Sequence, residues 1–162
     1  MNTDSQKILV TPTSFTSAEL EFARDLLQDS GYEVAYNQSG KPLDADSLVA
    51  ASRGCVGILA GLDDFSAAVL DQLPDLRVIS RYGVGVDRVD LQTARRNGVV
   101  VTNTPGANSI AVAEMALTSM FALARHIAWL NETTRQGQWL RAVGTELSQA
   151  TLGIVGLSLI HI

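Results

Sequence analysis

The chain is poor in several residue types, and each shortage excludes a class of protein. Cysteine occurs once in 162 residues, as Cys55. A single thiol can form neither an internal disulfide framework nor a cysteine-based metal cluster. It lies in the apolar run CVGILA, so it reads as a small buried hydrophobe rather than a reactive thiol. Basic residues number 12 against 17 acidic, a net charge of −5, and no run of like charge stands out. That balance argues against a nucleic-acid partner, which needs a Lys/Arg patch. No apolar stretch reaches the roughly 20 residues that span a bilayer. The polar start MNTDSQK lacks the apolar core of a signal peptide. The expectation is a cytoplasmic chain with no membrane or nucleic-acid partner. Motifs for zinc hydrolysis, phosphoryl transfer and nucleophilic serine chemistry are absent, and no metal site is expected.

What is present is an alternation of short strands and helices. Hydrophobic residues make up 46% and charged residues 18%, a composition suited to an α/β domain. Lys7–Thr11 is a β-branched run closed by Pro12. Thr16 and Glu19 have capping-box spacing ahead of Leu20, Ala23, Leu26 and Leu27 at helical spacing, and Gly31 ends that helix. Tyr32–Tyr36 reads as a second strand and Ala45–Ser52 as a short helix closed by Gly54. Cys55–Ala60 is a third strand, nearly all apolar, as expected where both faces are covered. Ser66–Leu73 is helical up to Pro74, and Leu76–Arg81 is a fourth strand. Asp90 can cap a helix over Leu91–Asn97 that stops at Gly98, and Val99–Thr102 is a fifth strand. The pattern predicts a flavodoxin-like, doubly wound parallel sheet with helices on both faces.

Beyond the turn TPGAN the pattern changes. A long helix is expected from about Ser109 to Leu130, apolar on nearly every side over IAVAEMALTSMFALA. Such a helix must be covered around most of its circumference, so a further body is implied: a second domain, a partner subunit, or both. A more polar helix over Asn131–Gln136 should end at Gly137. Trp129 and Trp139 read as packing residues, and Thr151–Val155 as a new strand entering Gly156.

In parallel sheets ligands bind beyond the carboxyl ends of the strands. The most informative of these ends is Arg81-Tyr82-Gly83-Val84-Gly85-Val86-Asp87. Two glycines one residue apart let successive N–H groups converge into an anion-binding nest. Arg81 can add a forked cation suited to a carboxylate. The alternative is a tight turn with Arg81 in solvent, and the loop by itself leaves both readings open.

The longer stretch SRYGVGVDRVDLQTARRNGVVVTNTPGANSIAVAE resembles the hallmark region of the D-isomer-specific 2-hydroxyacid dehydrogenases, most nearly their phosphoglycerate dehydrogenase branch. GTEL at 144–147 and TLGIVG at 151–156 are similar to the same branch. The resemblance implies a substrate-binding domain over 7–103 and the beginning of a Rossmann nucleotide-binding domain, truncated, over 104–162, with the crossing at Asn103–Pro105. It implies NAD as the cofactor of a full-length parent and a small 2-hydroxy or 2-oxo acid as substrate, with 3-phosphoglycerate among the candidates. Arg81, Gly83, Val84 and Gly85 would bind that acid. Val84, Asn108, Val112 and Gly156 would border the cofactor. The helix 109–130, with Glu114 near its start, would form a homodimer interface.

Three departures qualify that likeness. Gly61-Leu62 stands where phosphate-binding relatives carry Arg-Ser after the third strand. The dinucleotide fingerprint expected over 156–161 keeps only Gly156, with Ser158 and His161 in place of its other glycines. The acidic partner of the ribose would lie beyond Ile162. The family's catalytic Arg, Glu and His would also lie further on, and neither His126 nor His161 substitutes for them. The expectation is therefore an N-terminal fragment, inactive alone, with LSLIHI as foreign sequence at a truncation. The competing expectation is a non-catalytic flavodoxin-like binding or regulatory module, such as a receiver, for which Asp63-Asp64 is the one nearby acid pair. Those two residues read more simply as caps of the following helix.

Overall fold

Short β-branched and apolar runs pair side by side because each leaves its backbone groups free for a neighbour. In the computed structural model, which describes residues 6–16 and 20–156, five strands result. They are β1 (Lys7–Val10), β2 (Glu33–Tyr36), β3 (Cys55–Ala60), β4 (Val78–Arg81) and β5 (Val100–Thr102). Their order is β2-β1-β3-β4-β5 and every pairing is parallel. Helices α1 (Glu21–Gln28), α2 (Ala45–Ser52), α3 (Ala67–Leu70) and α4 (Leu91–Arg96) make the crossovers. This is the flavodoxin-like order, in which the winding reverses between β1 and β3 and a crevice opens at their carboxyl ends.

β3 is the central strand and buries Cys55, Ile58 and Ala60. With Leu9, Leu48, Phe65, Leu70 and Ile79 they form one continuous core. Burial pushes the Cys55 thiol up from its ordinary value, as suits a packing residue. β3 and α2 have the predicted bounds. The other strands are one or two residues shorter than predicted, although the Thr11 and Arg77 N–H groups still donate to the Leu59 and Val56 carbonyls of β3. The Asp90 carboxylate caps α4 as expected, accepting the Thr93 N–H at 2.8 Å. Glu19, half of the expected capping box, lies outside the described residues, as do Ser158 and His161.

The chain divides into two compact units, Met1–Pro105 and Gly106–Ile162. The second contains α5 (Ser109–Ala124), α6 (Ile127–Arg135) and a 3₁₀ turn at Leu147–Gln149. Here two expectations are corrected. The helix predicted to run unbroken from 109 to 130 breaks at His126, which has φ +54°, and the two pieces meet at 64°. The Arg125 N–H reaches back to the Phe121 carbonyl but the His126 N–H only to Leu123, so the last turn tightens before the chain turns left-handed. The predicted polar helix is the end of α6, and it stops as expected at Gly137.

The second correction is Thr151–Val155, which forms no strand. A strand needs a ladder partner, and among the described residues all strands belong to the first unit. Trp139 is not packed either, at 87% exposed, whereas Trp129 is about half covered. No residue of α5 is buried, and Ile110, Met115, Leu117, Phe121 and Leu123 all stand more than half exposed. Among the described residues no single helix is long and apolar enough to cross a membrane; α5 and α6 pass that test only together, across their bend.

Candidate functional site

At the reversal between β1 and β3, extended to the end of β4, a cleft of about 260 Å³ opens. Thr11 to Ser14 form one wall, Gly61 and Leu62 another, and Arg81 and Tyr82 a third. Beneath it lies a buried polar network. The Thr11 hydroxyl donates to the Asp63 carboxylate and accepts the Gly61 N–H at 2.8 Å. The other Asp63 oxygen accepts the Leu43 N–H at 2.7 Å. Asn37 donates through Nδ2 to the Thr11 and Lys41 carbonyls at 3.2 and 2.8 Å. Asp63 is 1% exposed, so it is a structural clasp rather than the helix cap expected of it. α3 starts instead at Ser66.

Gly61 is fixed by close approach. A Cβ there would stand 2.9 Å from the Pro12 Cα, a backbone atom that cannot swing aside. The ends of β1 and β3 are thus held together by contact as well as by the Thr11 hydroxyl.

The loop after β4 is held at both ends. The Tyr82 N–H continues the ladder to the Ala60 carbonyl, and Phe65 bridges Val89 at the far side, exchanging bonds with Arg88 and Asp90. Between these anchors, the Thr104 N–H donates to the Gly83 carbonyl at 3.0 Å. Asn103 Nδ2 donates to the Val84 carbonyl at 2.7 Å. The Val84 and Gly85 N–H groups donate to no acceptor among the described residues. They are consumed neither by the sheet nor by the loop, which is what an anion nest requires.

Arg81 folds over the start of this loop. Its Nη1 donates to the Tyr82 carbonyl and, at 3.4 Å, to the Ala60 carbonyl. Gly83, at φ +146°, makes that fold possible, since a Cβ would stand 2.9 Å from Nη1. The Nε and Nη2 donors meet no acceptor among the described residues, and no carboxylate pairs with the guanidinium there. Tyr82 is steadied edge-on by the buried Phe15 ring, at 5.8 Å between centroids. Arg81, Gly83, Val84 and Gly85 therefore stand together at one strand end.

The remaining candidates belong to the second unit or its tail. Asn108 precedes α5 without a side-chain capping bond, and Val112 follows one turn on. Both line a shallow apolar hollow with Ala111, Met115, Ala116 and Ser119. Gly156 has φ +83° and open space around it. A pyrophosphate cradle needs a strand, a glycine turn and a helix N-terminus in sequence. With no strand before Gly156, the described residues do not fit the pyrophosphate of a dinucleotide.

A parallel sheet of this order, with unpaired amides and a guanidinium at one carboxyl end, defines a flavodoxin-like α/β domain. Comparison with known proteins makes the assignment specific. Residues 9–154 match the family model described as D-isomer specific 2-hydroxyacid dehydrogenase, catalytic domain, and the chain belongs to that family. It is 39% identical over 137 residues to D-3-phosphoglycerate dehydrogenase of Rattus norvegicus, covering 83% of this chain and 25% of that protein. It is 50% identical over 84 residues to the enzyme of that name from Synechocystis, covering 51% of this chain and 15% of that protein. Among solved structures, the TT0316 protein from Thermus thermophilus superposes with a TM-score of 0.72 at 35% identity, covering 87% of this chain and 43% of the other. An NAD+-bound 3-phosphoglycerate dehydrogenase from Entamoeba histolytica, 23% identical with a TM-score of 0.70 over 88% of this chain and 43% of its own, shares the fold. The chain thus spans about a quarter of the length of the curated relatives it matches over most of its residues. Family membership sets aside the receiver-type reading.

Sequence reading took Asp63 only as half of an acid pair or a helix cap, and singled out neither the Thr11 hydroxyl that it holds nor the bond from Asn103 to the loop. The first two carry a faint signal: a hydroxyl and an acid, each just past an apolar strand. Asn103 carries none, because its bond to Val84 joins residues 19 apart.

Proposed function

We propose that this chain is part of an NAD-dependent oxidoreductase that transfers a hydride between nicotinamide and C2 of a small D-2-hydroxy acid. The observation that carries this reading is the unpaired Val84 and Gly85 amides beside Arg81. In this reading both N–H groups donate to the substrate carboxylate and the free Nε and Nη2 of Arg81 add charge-assisted bonds. Arg81 is already folded against backbone carbonyls, so little side-chain freedom is lost on binding. Fixing the carboxylate orients C2, and orientation is the chain's contribution to the rate. NAD, when bound, supplies the hydride acceptor. Val84, Asn108, Val112 and Gly156 are the residues proposed to border it in a longer protein. That protein would also supply the Arg, His and Glu of proton transfer, so this chain by itself is proposed to be inactive.

Among the described residues Arg81 is the one cation lining the cleft, and Gly61 leaves no room for a side chain beside Pro12. That favours a singly charged acid over 3-phosphoglycerate, despite the names of the relatives. The exposed apolar residues of α5 support a homodimer through that helix in the longer protein, which we place in the cytoplasm.

Gly85→Val tests the reading. Its Cβ would fall 2.6 Å from Asp87 Oδ1, so the Asp87 side chain must swing aside, and the β-branched group stiffens a loop that glycine leaves free. Turnover of D-2-hydroxy acids by the longer protein should drop by about 10²-fold in kcat/KM. Unchanged kinetics would remove the amides from the mechanism.

A further inference from the structure

Asn103 stands at the end of β5, outside the cleft lining, yet its side chain reaches across to the loop that follows β4. A trans peptide is planar, with its C=O and N–H pointing in opposite directions, and the chain has no cis peptide among its described residues. The carbonyl of Val84 and the N–H of Gly85 belong to one such plane. The carbonyl of Gly83 and the N–H of Val84 belong to the plane before it. Asn103 Nδ2 takes the Val84 carbonyl at 2.7 Å, and the Thr104 N–H takes the Gly83 carbonyl at 3.0 Å. Each bond draws a carbonyl toward the end of β5 and so turns the N–H across the same plane the opposite way.

From this geometry we propose that Asn103 is a positioning residue that aims the Gly85 amide, with the Thr104 main chain doing the same for Val84. The inference rests on the reading of those amides as the carboxylate site. Glycine on either side of Val84 leaves the intervening peptides free to rotate. Without the two anchors they would sample orientations in which the N–H groups do not converge. The Thr104 anchor is main chain and survives any side-chain change. The Asn103 anchor is a single exposed amide, so the orientation of the Gly85 plane depends on one side chain.

The test uses the full chain, 15N-labelled, titrated with D-lactate as the probe. In the unsubstituted protein, saturable shifts of the Val84 and Gly85 amide signals are expected. Asn103→Ala should weaken lactate binding by about five- to tenfold, the loss of one hydrogen bond. It should reduce the Gly85 response more than that of Val84, with the melting temperature little changed because Asn103 is exposed. Asn103→Gln, which keeps the donor on a longer arm, should restore part of the affinity. Equal binding and equal Gly85 response in Asn103→Ala would overturn the positioning role while leaving the carboxylate site intact. So would a fall in binding that affects both amides alike and tracks a fall in melting temperature. Absence of any response in the unsubstituted protein would overturn the carboxylate site and this inference with it.

Discussion

The two units spend their apolar residues differently. In Met1–Pro105 the apolar runs pair and pack: Ile58, Phe65, Leu70 and Ile79 are essentially inaccessible. In Gly106–Ile162 the long apolar helix α5 buries none of its side chains. A sheet covered on both faces by its own crossovers completes a core. A helix apolar all round cannot do so against one short neighbour. The first unit thus carries a finished core, whereas the second carries an apolar helix that its own unit leaves exposed.

The largest effect should appear where that contrast is sharpest. Ile79→Ala removes a fully buried side chain from the first unit and should cost about 2–5 kcal/mol in denaturant unfolding. Leu123→Ala, at 78% exposure, should stay within about 0.5 kcal/mol for the monomer and instead reduce self-association in sedimentation. Equal losses of stability would mean that α5 is packed within its own chain.

Next in size is the buried clasp. Asp63→Ala leaves the Thr11 hydroxyl and the Leu43 N–H without their acceptor and should cost about 1–3 kcal/mol for each group left buried and unpaired. It should also loosen the cleft wall, read as faster hydrogen exchange at Gly61 and Leu43. A neutral outcome would demote the network to surface decoration.

The smallest effect concerns Asp71, whose carboxyl is held below its ordinary value of 3.8 by the Asn97 side chain and then by Arg96. A carboxyl with a depressed folded pKa adds stability above its unfolded pKa and loses it as pH falls through the depressed value. The window is therefore acidic, below about pH 4, and the group is exposed. Asp71→Asn should flatten the acid limb of the stability curve slightly and leave neutral pH nearly unchanged.

The same contrast explains how much was legible in advance. Within the first unit the elements followed from local signals: β-branched runs, Asp90 as a cap, glycines at helix ends. Each of these acts within a few residues, so a single sequence displays it. The parallel winding of the sheet was likewise readable from the alternation, and glycine spacing drew attention to the loop after β4 without deciding between a nest and a plain turn. What escaped was non-local. Asp63 reads as a cap until Leu43 and Thr11 are seen to surround it. Gly61 reads as a missing anchor until Pro12 is found pressed against it. In the second unit the errors came from periodicity without context. An all-apolar helix gives no sign of where it will bend, and His126 is an unremarkable residue to take φ +54°. Thr151–Val155 has strand composition, but composition supplies no partner.

The direction of two main-chain N–H bonds decides the central claim. Titrating the 15N-labelled chain with a D-2-hydroxy acid such as D-lactate, at constant ionic strength, reads them individually. The account predicts saturable downfield proton shifts at Val84 and Gly85 that exceed those at the neighbouring Val86 and Arg88. Shifts spread evenly over the surface, or none at these two positions while others respond, would contradict it.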